Sequence, residues 1–405
     1  MKKDVFTKAD ILLPKAVFLE NWSVVACDQY SSQADYWERV SERVGDNPST
    51  YKMIIPEAFL AQRDVEIETS NISEEMNRYL NDGILETVEN AFIYVERTLS
   101  EGQIRRGLVG AIDLEEYSFS GEDASILASE GTVLDRLPAR ISVRRAVPLE
   151  STHVLAFIND VEKTVIEPLE EKVDLLPLLY EFELMEDGGK IRGMCVQGSI
   201  ADDIITALSN LHEKMNPLII IGDGNHSLAA AKVYWDELKQ SLSQEERITH
   251  PARKALLEIN NVYDSAIGIE AIHRAIFNVD EADFITKLSE HMTQGGDYEI
   301  HLHSSTQNET ISVAADCIGD MLAMLQGFLD EYSKKTGSHI DYIHGEETVL
   351  QLAKEPRCVG LILPAMEKSE LFGTVSTMGV FPKKSFSVGH ANEKRFYLEC
   401  RAIRN

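Results

Sequence analysis

The residues best suited to chemistry stand in one short run, Gly222-Asp223-Gly224-Asn225-His226-Ser227. The aliphatic stretch Pro217-Leu218-Ile219-Ile220-Ile221 precedes it and suits a buried strand. Leu228, Ala231, Trp235 and Leu238 follow at i, i+3, i+7 and i+10, one face of a helix. A strand that breaks at two glycines and starts a helix leaves backbone N–H groups at the positive end of the helix dipole, a cradle for anions. Gly222 and Gly224 allow the tight turn and the close approach of a ligand. His226 adds a hydrogen-bond donor, and Asp223 a base or a ligand for a metal ion such as Mg2+. The plainer alternative is a strand–helix joint in which Asn225 or Ser227 caps the helix and His226 packs locally.

Familiar phosphate loops fit poorly. Gly222-x-Gly224-x-x-Ser227 approximates a dinucleotide fingerprint, but Ser stands in place of the third glycine and no acidic strand end follows at the required distance. A P-loop fails because no Gly-Lys-Ser/Thr follows, and no Gly-x-Ser-x-Gly elbow supports serine hydrolysis. Elsewhere, His273-Arg274 forms a donor pair, and His301-x-His303 puts two imidazoles on one strand face without a third ligand. His344-Gly345-Glu346-Glu347 reads equally well as a turn before a helix. Toward the C-terminus Lys383-Lys384-Ser385, His390 and Glu393-Lys394-Arg395 gather cations suited to clamping phosphate, or to offsetting acidic neighbours.

The elements that must position these groups belong to a 405-residue chain, long enough for two intimately packed lobes. The pattern predicts a mixed α/β (α+β) fold, with an N-terminal region over 1–275 that carries the turn and a smaller C-terminal α/β region over 276–405. A polar helical stretch is expected over 73–99, interrupted by Gly83, then a strand over 107–114 and a turn over 119–123. Arg136, Arg140, Arg144 and Arg145 crowd together before an apolar strand over 153–158. A second helical stretch is expected over 251–258 and a turn over 260–264. The C-terminal region reads as a helix over 283–292, a strand over 298–303, a long helix over 316–335 and a strand over 359–363.

Apolar residues make up 44% and charged residues 26%, the balance of a globular chain. With 39 basic against 67 acidic residues the net charge is −28, which argues against nucleic-acid or anionic-membrane partners while leaving room for a small anionic ligand in a local basic pocket. Five isolated cysteines without a Cys-x-x-Cys pair fit a reducing compartment and give no signal for zinc, iron–sulfur, haem or flavin. The opening Met1-Lys2-Lys3-Asp4 leads into no signal-peptide core, and the longest aliphatic runs fall short of a membrane span, so the expected location is the cytoplasm.

The chain resembles domain-of-unknown-function family 1015 nearly end to end. The likeness is carried by Asn21-Trp22-Ser23-Val24-Val25-Ala26-Cys27 leading to Asp28-Gln29-Tyr30, by Pro148-Leu149-Glu150 before His153, and by Asp223-Gly224-x-His226. His273-Arg274, His344-Gly345-Glu346, Pro364-Ala365-Met366-x-Lys368-Ser369 and Pro382-Lys383-Lys384-Ser385-Phe386 complete it. The family's Asp-Gly-His-His-Arg turn is similar to the turn with which ParB-like and sulfiredoxin-like domains, free-serine kinases among them, hold nucleotide phosphates. Here Asn225 and Ser227 replace the first His and the Arg, which removes a bidentate phosphate contact.

This resemblance implies a phosphotransferase-like enzyme acting on a hydroxyl-bearing metabolite, with Mg2+ and ATP or ADP as cofactors and a phosphorylated small molecule as ligand. A homo-oligomer is compatible with it. Asp223 and His226 would be catalytic. Gly222, Gly224, Asn225, Ser227, Asp28, Arg274, Lys383 and Lys384 would hold substrate or phosphate. The alternatives are a non-catalytic nucleotide- or metabolite-binding module and a phosphohydrolase.

Overall fold

Leu218, Ile219, Ile220 and Ile221 have almost no solvent exposure, as a continuous aliphatic run demands of a strand flanked on both sides. In the computed structural model, which describes residues 5–121 and 123–404, the three isoleucines open the strand Ile219–Asp223. The opening residues Met1–Asp4 lie outside the described residues, as does Glu122 of the turn expected over 119–123.

The fold is mixed α/β, with two sheets among the described residues, divided between two units. Unit 1 takes residues 1–128, 132–267 and 389–405, and unit 2 takes 129–131 and 268–388. The cation-bearing stretch 389–395 therefore belongs with the first unit. In unit 1 the elements around the turn are β1 (Leu85–Thr98), β2 (Ile104–Asp113), β3 (Ile126–Ala128), β4 (Leu155–Ile158), β5 (Ile219–Asp223) and β6 (Lys254–Asn261). They belong to a thirteen-stranded sheet in which the path runs β3-β5-β4-β6-β2-β1. β5 pairs parallel to β3 and antiparallel to β4, with the register shifting between Ile221 and Asp223. Three helices matter here: α1 (Val65–Asn81), α2 (Leu137–Ala146) and α3 (Asn225–Leu238).

Two sequence expectations fail for one reason. The helical stretch expected over 73–99 ends at Asn81, Gly83 adopts a φ of +62°, and residues 85–98 form β1 instead. Phe92, Ile93, Tyr94 and Val95 are β-formers buried on both faces, so tertiary packing overrides the helical reading. The stretch 251–258 likewise gives only a short 3-10 turn, Pro251–Arg253, before β6, and the turn expected from Asn260 begins after Asn261. A buried run of this length satisfies a central strand as well as a helix, and pairing with β2 and β4 decides it.

In unit 2, β7 (Ile269–Phe277), β8 (Gln294–Ser304), β9 (Asn308–Val313), β10 (His339–His344) and β11 (Cys358–Ile362) run in the sheet order β9-β8-β11-β7-β10. Helix α4 (Ile318–Thr336) buries Met321, Leu325, Phe328 and Leu329, spaced along one face. His301 and His303 are half-buried on β8, with their Nδ1 atoms 3.0 and 3.1 Å from Thr310 Oγ1 and Asn308 Oδ1 on β9. No helix among the described residues is long and apolar enough to cross a membrane.

Candidate functional site

β5 delivers Asp223 to the point where the sheet ends and α3 begins. Gly222 is obligatory there, because a Cβ would lie 2.2 Å from the Phe157 ring of β4. Gly224 adopts φ +81° and is the N-cap of α3, the role that Asn225 or Ser227 would have held in the plainer reading of the turn. A glycine N-cap brings no side chain to the helix end, and the opening amides of any α-helix lack an acceptor within the helix. The geometry is that of an anion cradle.

His226 has a defined protonation state. The backbone N–H of Val133 donates to its Nε2 at 3.2 Å, so that nitrogen carries a lone pair and the proton of the neutral ring sits on Nδ1. Burial, then the charges of Arg140 and Arg136, push its pKa down from 6.5 to about 4. His226 is therefore neutral at pH 7 and ties the segment leading into α2 to the start of α3. Because the unfolded chain takes up the proton first, this contribution to stability is intact above about pH 6.5 and is lost as pH falls toward 4. In His226→Gln an amide oxygen accepts the Val133 N–H without titrating. The wild type is expected to lose more melting temperature than this variant between pH 7 and pH 4.5; equal losses would refute the assignment.

Around this helix start unit 1 gathers a polar cluster from distant parts of the chain. His153, 3% exposed in the loop before β4, lies with Nε2 3.4 Å from Ser227 Oγ, and its ring meets Tyr397 edge-on at 4.9 Å. Burial lowers the His153 pKa, against the pull of the Asp28 and Asp223 carboxylates. Burial works against ionisation of Asp28, but His153, a 3.1 Å hydrogen bond from Gln29, and the Arg140 and Lys394 charges hold its carboxyl below its ordinary value. Lys394 is 8% exposed, with Nζ 3.9 Å from Asp223 Oδ2, an ion pair too long to be a hydrogen bond. Asp223 Oδ2 is itself buried without a hydrogen-bond donor. Arg140 of α2 pairs with Glu57, and burial first of all pushes the nearby Cys27 thiol up to about 12, so that it stays protonated.

Lys394 is held in place by buried arginines. Arg97 donates to the carbonyls of Asn392, Lys394 and Glu393, and Arg105 to that of Glu393 at 2.8 Å. Its neighbour Arg395 lies between Glu258 of β6 (2.8 Å) and Glu399 (2.6 Å) and also donates to the carbonyl of Thr152, the residue before His153. Thus one buried network fixes both Lys394 and the His153 loop.

Of the residues singled out from the sequence, Asp28, Asp223, Asn225, His226 and Ser227 lie in unit 1 about this helix start. Arg274, Lys383 and Lys384 lie in unit 2. There Arg274, 1% exposed, donates to the carbonyls of Ile272, His273 and Lys384 and stacks over Tyr342, which gives it a structural task. The amides of Lys384 and Ser385 donate to the Glu130 carboxylate at 3.1 and 2.9 Å, while the Lys383 and Lys384 side chains are exposed. From the sequence, Lys394 is only one of a group of C-terminal cations, His153 only part of a family-like segment, and Arg140 only one of the crowded arginines at 136–145.

Among the described residues no group of three His, Cys, Asp or Glu side chains stands ready to hold a metal. Mg2+ commonly needs only one or two carboxylates besides phosphate and water. The donor-free Oδ2 of Asp223, with Asp28 sharing the neighbour His153, fits that chemistry.

The sequence model of a family described as protein of unknown function (DUF1015) matches residues 8–374. The chain belongs to the DUF1015 family. No curated protein matches it. Among solved structures, this DUF1015 member is similar to a free serine kinase in complex with AMP, at 13% identity over 73% of this chain and 90% of that one, with a TM-score of 0.40. It is also similar to SbnI with a C-terminal truncation from Staphylococcus aureus, at 8% identity over 69% and 82% of the two chains and a TM-score of 0.38. A conserved hypothetical protein from Pyrococcus furiosus matches at 12% identity over 73% and 94%, with a TM-score of 0.37. Likenesses this faint carry no functional argument, which rests on the cluster itself.

Proposed function

We propose that this DUF1015 protein transfers a phosphoryl group from ATP to a hydroxyl of a small metabolite at the N-terminus of α3. One observation carries the reading: Asp28, His153, Asp223, Ser227 and Lys394 converge on a helix start whose N-cap is a glycine. The first-turn amides and Lys394 hold the phosphate oxygens and offset their charge in the transition state. Asp223 orients the acceptor hydroxyl and takes its proton as the oxygen attacks phosphorus and the bond to the departing ADP oxygen breaks. His226 positions the cradle through its bond from Val133. Lys394 stands in for the arginine that this turn lacks at Ser227. Mg2+, when bound through Asp223 and Asp28, would supply further neutralisation of phosphate charge.

The test is to incubate the purified chain with Mg2+-ATP and pools of hydroxyl-bearing metabolites and to follow ADP. ADP formation that depends on an acceptor supports the proposal. Phosphate release without an acceptor would instead make the protein a phosphohydrolase, and nucleotide binding without turnover would make it a binding module.

A further inference from the structure

Behind the start of α3 lies a cavity of about 160 Å3 contained wholly in unit 1. Protein interiors hold few voids larger than a water molecule, and this one is close in volume to an engineered cavity of about 150 Å3 that admits benzene. Most of its wall is apolar, built from residues such as Met53, Ile54, Met76, Val143 and Leu149. Ser227 and His153 also line it, and the Asp223 carboxylate acts on the His153 ring, so the cavity reaches the proposed site of transfer. The charge of the wall cancels. Arg140 and Arg144 of α2 line the cavity, but so do Glu57 and Glu150, which already pair with them, Arg144 with Glu150 at 2.6 Å. The other titratable groups of the wall are the Cys27 thiol, the His153 ring and the Tyr397 hydroxyl, and burial keeps each of them uncharged at pH 7. A charged ligand would give up its hydration here without meeting an unmatched counter-charge, whereas an apolar body gains by leaving water.

We infer that this cavity is the acceptor pocket and that it takes an uncharged alcohol whose apolar body has about six heavy atoms. The body lies against the methionine- and aliphatic-lined wall, and the hydroxyl reaches Ser227 and His153, on the side of Asp223. As an acceptor the alcohol rests on the phosphotransfer reading, but the pocket's preference for a neutral apolar ligand is testable without turnover.

The full chain is titrated with 1-butanol, 1-pentanol, 1-hexanol and 1-octanol, with binding read from the NMR relaxation of the alcohols, while Mg2+-ADP is titrated separately. Affinity is expected to rise about fourfold per added methylene up to 1-hexanol and to gain nothing further at 1-octanol. Two charged compounds match neutral ones in shape: 4-aminobutan-1-ol matches 1-pentanol, and 4-hydroxybutyrate matches 4-methylpentan-1-ol. Each charged member is expected to bind at least about tenfold more weakly than its neutral partner. Val143→Phe, which fills the cavity from α2, is expected to weaken the alcohols by about tenfold or more while its circular dichroism stays that of the folded chain. Alcohols that do not bind, that keep tightening through 1-octanol, or that bind no better than their charged counterparts overturn the pocket assignment, as does a folded Val143→Phe variant with unchanged affinity. Failure of Mg2+-ADP to bind the wild type would instead contradict the phosphotransfer reading, so the two failures are distinguishable.

Discussion

Arg395→Met is expected to destabilise the protein by about 3–5 kcal/mol, the usual consequence of leaving a buried charge without its partner. Such a loss lowers the melting temperature by on the order of 10 °C. Arg395 is 4% exposed and lies between Glu258 and Glu399, exposed by 3% and 1%, so its removal strands two carboxylates at once. Burial opposes ionisation of Glu258, and Arg395 followed by Arg105 holds its carboxyl below its ordinary range. The Tyr180 hydroxyl donates to the same Glu399 and gives it no compensating charge. Replacing Glu258 and Glu399 by glutamine in the Arg395→Met background removes the stranded charges and should recover much of the loss. A shift below about 1 kcal/mol in the single variant would show that water reaches the network. Since Arg395 also anchors Thr152, residual folded variant should have a displaced His153 loop and weakened ligand binding.

Asp223→Asn is the second large effect. It preserves shape but removes the proposed proton acceptor and the negative charge beside Lys394. Turnover is expected to fall at least about a hundredfold, the range of a lost general base. Affinity for Mg2+-free ADP should stay within a few-fold, because the amides of α3 and Lys394 remain. Parallel measurement of kcat and nucleotide Kd checks both halves. Unchanged turnover in the variant would move the acceptor's proton to another group, with His153 the nearest alternative.

The turn itself was legible because its signals are local: an aliphatic run, two glycines and a helical stripe occupy consecutive positions. Of its partners Asp28 was reached only through the family resemblance and His153 and Lys394 were given no individual role, because the sheet assembles them from far apart. Asp28 comes from an N-terminal loop, His153 from the approach to β4, and Lys394 from the returning C-terminal segment. Only strand pairing around β5 and the Arg97, Arg105 and Arg395 network bring these together. The basic C-terminal residues show the limit from the other side. By composition Lys383, Lys384 and Lys394 are equivalent cations. Tertiary structure makes one of them a buried neighbour of Asp223 and leaves the other two exposed in unit 2. The misread β1 has the same origin, since burial on both faces erases the alternation by which a half-exposed strand is recognised.

The start of α3 is proposed to hold a nucleotide phosphate. The most direct test of this is the melting temperature of the unaltered protein with and without Mg2+-ATP and Mg2+-ADP. At a nucleotide concentration about a hundred times Kd the folded state should gain about 2.7 kcal/mol, a rise of several degrees. A melting temperature that stays flat with every Mg2+-nucleotide at millimolar concentration would contradict the account.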